Sequence, residues 1–151
     1  MQAETTLILP DESAASAFGA RLGHCLHPGM VILLEGPLGA GKTHLARAAI
    51  RALCGTETEV PSPSFTLVQT YDGPDCEIWH ADLYRLSHLS EVDELGLDAV
   101  MTRDIVLVEW PDRLGLPPQG AVTLRLSPEG DGRRLEILGA APGFLACLGL
   151  Q

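Results

Sequence analysis

Val31-Ile32-Leu33-Leu34-Glu35-Gly36-Pro37-Leu38-Gly39-Ala40-Gly41-Lys42-Thr43 is the stretch of this 151-residue chain on which its architecture turns. Val31 to Glu35 is a continuous apolar run, as in a strand buried on both faces of a parallel sheet. Thr43 to Cys54 carries Leu45, Ala49 and Leu53 at four-residue intervals, one face of an amphipathic helix, with Gly55 placed to end it. Between strand and helix lies G-x-x-x-x-G-K-[ST], with Gly36, Gly41, Lys42 and Thr43 at its fixed positions and Gly39 inside it. Glycines let successive backbone N–H groups turn inward around phosphate oxygens, and the helix N-terminus adds its partial positive charge. The pattern therefore predicts a phosphate-cradling P-loop in an α/β domain. Lys42 would reach the β- and γ-phosphates and the Thr43 hydroxyl would bind Mg²⁺.

Working outward, Thr5 to Leu9 reads as a short strand ended by Pro10. Asp11 is placed to cap a helix with Phe18, Leu22 and Leu26 on one face, broken by His27-Pro28-Gly29. Beyond Gly55, Pro61-Ser62-Pro63-Ser64 is a stiff loop. Phe65–Tyr71 and Cys76–Ala81 read as strands of an antiparallel hairpin across Asp72-Gly73-Pro74-Asp75. Ser90 with Asp93 suggests a capping box for a helix through Leu95, ended by Gly96, with a further turn over Leu97 to Met101. Ile105 to Val108 is another buried strand, closed by Glu109. Val122–Leu126 and Arg134–Leu138 alternate as a second hairpin around Gly130-Asp131-Gly132, and Gly143–Leu150 is a terminal helix. The sum is one α/β domain over 1–151, its core about 5–139, with a mixed rather than purely parallel sheet flanked by helices.

Composition narrows the function classes. Twenty acidic against ten basic side chains give a net charge of −10. Such a chain repels a nucleic-acid backbone, which disfavours direct RNA or DNA binding and suits a cationic protein partner. Lys42 is the single lysine, and it stands inside the glycine-rich loop. No apolar run nears the roughly 20 residues that span a bilayer. The start, Met1-Gln2-Ala3-Glu4, has neither a positive n-region nor an apolar h-region, so a secretory leader is not expected. Cys25, Cys54, Cys76 and Cys147 form no C-x-x-C pair or zinc spacing and are expected reduced, in a cytoplasmic protein. The five scattered histidines predict no transition-metal site.

A P-loop needs a second carboxylate for Mg²⁺, usually at the end of a neighbouring apolar strand. Glu109, after Ile105-Val106-Leu107-Val108, and Asp82, after Cys76–Ala81, are the candidates. Glu109 follows the cleaner run and is the favoured metal group, direct or through water. Asp82 could orient the attacking water or sense the γ-phosphate. Ser62, Ser64 and Thr66 place hydroxyls on a restricted backbone, where a nucleotide-sensing switch would sit. Trp110 could pack on the nucleotide or fill core, while Trp79 and Tyr84 are expected to pack structurally. Arg133 and Arg134 are candidate phosphate or partner contacts.

GPLGAGKT, SPSFTLV, HADLYRL, ELG and LVEWPD, in that order over about Leu9 to Leu138, resemble the bacterial TsaE (YjeE-like) family. The resemblance implies a mixed-sheet P-loop fold with one ATP/ADP site. It implies slow ATP hydrolysis supporting a TsaD-like transferase and its TsaB-like companion in tRNA threonylcarbamoyladenosine biosynthesis. There the ATPase regulates or resets the complex, and tRNA is met only through the partners. By motif it places Gly39, Ala40, Gly41, Lys42, Thr43 and the His44 backbone around phosphates, Thr43 and Glu109 at Mg²⁺, and Asp82 and Trp110 in the site. Arg133 falls near a basic position of the last hairpin. Ser64 stands where the family usually has threonine and keeps the hydroxyl. His44 replaces a usual second threonine, and Pro37 replaces a usual acidic residue. The rival reading is a small P-loop kinase, but Arg85, Arg103 and Arg113 form no lid-like cluster. A Ras-like guanine motif needs a second lysine, which the chain lacks.

Overall fold

The computed structural model describes residues 3–150, so the Met1-Gln2 end read for a leader lies outside the described residues. Seven strands form one sheet in the order β1-β7-β6-β2-β5-β4-β3. They are β1 (Ala3–Leu9), β2 (Val31–Glu35), β3 (Val68–Asp72), β4 (Glu77–Asp82), β5 (Ile105–Glu109), β6 (Val122–Glu129) and β7 (Gly132–Ala140). β6, β2, β5 and β4 run parallel, while β7 pairs antiparallel with β6 and β1, and β3 with β4. The mixed sheet read from the alternating hairpins and apolar runs is the sheet observed.

Among the described residues five α-helices accompany the sheet: α1 (Glu12–Cys25), α2 (Lys42–Cys54), α3 (Leu89–Glu94), α4 (Leu97–Val100) and α5 (Pro142–Cys147). Strand parity divides the core. Ile32, Leu34, Ile105, Leu107 and Ile78 face one layer with Leu22, Leu45, Ala49 and Ile50 of α1 and α2. Val31, Leu33, Val106, Val108 and Ala81 face the other, with Val92, Leu97 and Val100 of α3 and α4. This two-sided burial is why β2 and β5 read as unbroken apolar runs.

The helix α1 starts where Asp11, in extended backbone, accepts the Ala14 N–H through Oδ1 at 2.8 Å. Its contact with α2 is unusually close, because a Cβ on Gly23 would lie 2.4 Å from the Ala49 carbonyl oxygen and 3.0 Å from its Cα. Backbone cannot yield as a side-chain tip would, so Gly23→Ala should destabilise the fold by about 2 kcal/mol, a Tm fall of roughly 6 °C. A thermal melt checks it.

Several local expectations are corrected. The first hairpin strand begins at Val68, not Phe65, because the Leu67 N–H turns back to the Pro63 carbonyl at 2.6 Å. The helix expected from Ser90 starts two residues earlier, where Glu91 Oε1 accepts the His88 N–H at 3.1 Å. Cys25 and Cys147 are joined by a disulfide rather than reduced, their Cα atoms 5.9 Å apart. The end of α5 lies beside the last turn of α1, held also by Arg21 Nη1 donating to the Leu148 carbonyl at 3.2 Å. A separation of 122 residues hid that proximity from the sequence. Cys54 and Cys76 are free, and burial first of all raises both thiols above their usual range. No helix among the described residues is long and apolar enough to cross a membrane.

Candidate functional site

The site lies at the carboxyl ends of the parallel strands, the edge where open α/β sheets place their ligands. Parity sets its contents. In β4, Ile78, His80 and Asp82 point to the α1–α2 side, and in β5 so do Ile105, Leu107 and Glu109. Asp82 and Glu109 are register partners across β4 and β5. The first residues of α2, Lys42 and Thr43, sit over that side. Among the described residues five polar or charged side chains are buried, and four of them (Lys42, His80, Asp82 and Glu109) are here. Burying charge is costly unless it is compensated, so this concentration makes the strand ends the candidate site.

The loop takes the glycine conformations its sequence promised. Gly36 has φ +147°, and a Cβ there would lie 2.5 Å from the Leu126 carbonyl oxygen; Gly41, with φ +101°, opens α2. Lys42 folds back across the loop, donating through Nζ to the Gly36 carbonyl and to the Pro37 carbonyl at 3.0 Å. Its ammonium also sits 4.0 Å from the Trp110 ring centroid. Burial pulls the Lys42 ammonium below its usual range, while the Glu109 and Asp82 carboxylates oppose that shift.

Thr43 Oγ1 lies 2.9 and 2.8 Å from the two Glu109 carboxylate oxygens. His80 Nε2 lies 2.7 Å from Glu109 Oε2. Asp82 accepts from Ser64 Oγ at 3.2 Å and from the Tyr84 N–H at 3.0 Å. Ser62 and Ser64 hydroxyls are 2.8 Å apart. Thr66 is not brought to the site, since its Oγ1 accepts from Gln69 Nε2 at 3.0 Å. Trp110 adopts φ +59°, ψ +55°, a left-handed backbone costly for a side-chain-bearing residue. That turn carries its ring over Lys42, and Tyr84 packs on it at 4.8 Å between centroids. Tyr84 thus packs structurally, as expected, and does so against the tryptophan of the site.

Two further side chains brace the surroundings of the loop. Arg133 turns to the loop backbone, with Nε donating to the Ala40 carbonyl at 2.7 Å and Nη2 to the Gly39 carbonyl at 3.0 Å. It fixes the peptide planes of the cradle from outside. The His44 ring hydrogen-bonds Ser16 Oγ of α1 at 2.8 Å, leaving its backbone N–H at the loop. A cavity of about 280 Å³ is lined by Gly39, Lys42, Thr43, Asp82, Glu109 and Trp110. Across Ala40, Gly41 and His44 it adjoins a second cavity, of about 270 Å³, walled by Leu9, Ala15, Leu45 and Arg133.

His80 opens the HADLYRL stretch but, inside a largely apolar strand, has no role that local sequence assigns. Its signal was parity, two residues before Asp82 on the same face. Among the described residues no group of three or more His, Cys, Asp or Glu side chains gathers around one point. The donor set is instead one hydroxyl and one carboxylate, hard oxygens that suit Mg²⁺ when a nucleotide completes its shell.

A family model described as threonylcarbamoyl adenosine biosynthesis protein TsaE matches residues 9–135. The chain belongs to the TsaE family. It is 37% identical over 129 residues to a tRNA threonylcarbamoyladenosine biosynthesis protein TsaE from Rickettsia bellii, covering 85% of this chain and 90% of that one. The Haemophilus influenzae TsaE is 32% identical over 140 residues, 88% of each chain. The Synechocystis TsaE is 42% identical over 117 residues, 74% of this chain and 73% of that one. The crystal structure of Bacillus subtilis YdiB superimposes with a TM-score of 0.78 at 24% identity, over 99% of this chain and 94% of the other, a likeness of fold. For this TsaE-family chain, the matched span includes the loop, Asp82 and Glu109, and ends at the strand carrying Arg133.

Proposed function

We propose that this chain is a slow Mg-ATPase that serves threonylcarbamoylation of the adenosine beside the tRNA anticodon, by regulating or resetting a TsaD-like transferase with its TsaB-like companion in the cytoplasm. The observation that carries the ATPase reading is the Thr43–Glu109 contact at the mouth of the loop that Lys42 spans. It joins the hydroxyl and the carboxylate that a P-loop enzyme uses for Mg²⁺, on the buried lysine's side of the sheet. The role in tRNA modification rests on family membership and on the names of the relatives.

In this reading the backbone N–H groups of Gly39 to His44 hold the phosphates, and Lys42 moves from the loop carbonyls to β- and γ-phosphate oxygens. Mg²⁺, bound with the nucleotide by Thr43 and Glu109, supplies neutralisation of the charge developing on the transferred group. Asp82 orients the attacking water, and Ser64, bonded to it, reports the γ-phosphate to the loop before β3. The second cavity takes ribose and base, with ADP as the product held there. Net charge −10 keeps tRNA away from this subunit, so RNA is met through the partners.

Phosphate release from Mg-ATP, by the chain alone and with the TsaD–TsaB pair, tests this. Slow release alone and several-fold faster release with the pair is the expected result. Release unaffected by the pair, with phosphate appearing on a small-molecule acceptor, would make the chain a kinase.

A further inference from the structure

We propose that His80 is the positioning residue of the metal-binding carboxylate: its ring N–H holds Glu109 in the orientation in which, with Thr43, it meets the metal of the bound nucleotide. This rests on the Mg-nucleotide reading above. His80 is fully buried in the middle of β4, and its Nε2 is 2.7 Å from Glu109 Oε2. Among the described residues the Glu109 carboxylate has two side-chain hydrogen-bond partners, Thr43 Oγ1 and His80 Nε2. Thr43 stands in the first turn of α2, directly after the loop, and gives its oxygen to the metal. His80 is therefore the donor anchored in the sheet itself, independent of loop movement.

The other ring nitrogen settles which way the bond runs. Nδ1 is buried and has no hydrogen-bond partner among the described residues. A hydrogen on Nδ1 would leave a buried donor unpaired and set a bare ring nitrogen against a carboxylate oxygen, lone pair to lone pair. With the hydrogen on Nε2, the ring donates to Glu109, and Nδ1 is the cheaper orphan. A leucine or valine would suit this strand position without burying any polar atom. The imidazole is thus a cost to the fold that the neighbouring carboxylate explains.

The alternative partner for Glu109 is close at hand. The Lys42 ammonium is electrostatically coupled to both Glu109 and Asp82. A carboxylate released by His80 can turn toward that ammonium, withdrawing one charge from the metal and the other from the phosphates. Holding Glu109 from behind keeps the two apart.

The experiment compares wild type, His80→Gln and His80→Met. Glutamine sets an amide nitrogen as many bonds from Cβ as Nε2; methionine has similar length and no donor. Calorimetry gives the Kd of a non-hydrolysable ATP analogue in EDTA and in Mn²⁺, and the ratio is the metal enhancement. His80→Met should lose about tenfold of that enhancement, as outer-sphere ligand partners typically do, with metal-free affinity within about twofold of wild type. His80→Gln should stay within about threefold. Full enhancement in His80→Met, or equal loss with and without metal, would overturn the proposal. Should the methionine variant not fold, nitrogen-15 NMR of the wild-type ring decides: the hydrogen on Nε2 supports the assignment and on Nδ1 refutes it. A wild type that binds no analogue at all would instead bring down the nucleotide reading itself.

Discussion

Lys42→Ala is expected to reduce Mg-ATP turnover by roughly 100- to 1,000-fold, with nucleotide binding lost over the concentrations usually titrated. Three observations combine to make the effect large. Lys42 is the chain's sole lysine, so no neighbour of its type can substitute. It ties the loop together through the Gly36 and Pro37 carbonyls, so the cradle loses its internal brace as well as a charge. It also faces two buried carboxylates, Asp82 and Glu109, whose fields would then meet an incoming triphosphate uncompensated. Calorimetric titration and phosphate release measure both losses, and Trp110 emission should shift once the ammonium leaves its ring face. Turnover unchanged in this variant would sink the site assignment.

Asp82→Ala should slow turnover by about 100-fold while changing nucleotide affinity only a few-fold. Asp82 is buried, paired in register with Glu109, yet makes no direct bond to the Thr43–Glu109 pair. That placement suits a group acting on water or on the γ-phosphate rather than one holding the ground-state nucleotide. Asp82 also fastens the loop before β3 through Ser64, and Arg85 supports the same loop by donating to the Ser64 carbonyl at 3.3 Å. Asp82→Asn separates the two roles. The amide oxygen can still accept the Tyr84 N–H and the amide nitrogen can donate to the Ser64 hydroxyl, so both contacts are kept, the second reversed, without the charge. Turnover as low in the asparagine as in the alanine variant would assign the effect to the carboxylate charge; recovery would assign it to holding the loop. Single-turnover phosphate release beside a binding isotherm distinguishes chemistry from affinity.

The legibility of this protein was uneven in an instructive way. The P-loop, its flanking strand and helix, and the closing Glu109 were plain because each is a local pattern with one geometry. The hairpins were placed by alternation and turn residues, and their errors sit where a tertiary or turn contact overrode propensity. Phe65 has strand-like neighbours, but the Pro63–Leu67 turn leaves it 84% exposed, against the Arg85 guanidinium at 5.2 Å. His88 rather than Ser90 caps α3 because Glu91 reaches back to its backbone, a competition between capping positions two residues apart. Arg133 fastens the carbonyls of Gly39 and Ala40 and also walls the second cavity, a long-range placement no local pattern shows.

By itself, then, the sequence determined the elements that depend on short-range chemistry: the glycine-rich turn, the Lys42 and Thr43 side chains at the start of α2, and the two acidic strand ends. The tertiary structure alone decided what those groups face. Strand order sets β4 beside β5, and only that pairing puts His80 and Asp82 next to Glu109. The chain's folding back also brings Cys147 to Cys25, Arg133 to the loop and Tyr84 to Trp110, over separations at which no local pattern survives. Periodicity fixes the face on which a side chain stands, but its partner is chosen by which strands share an edge, a property of the whole sheet.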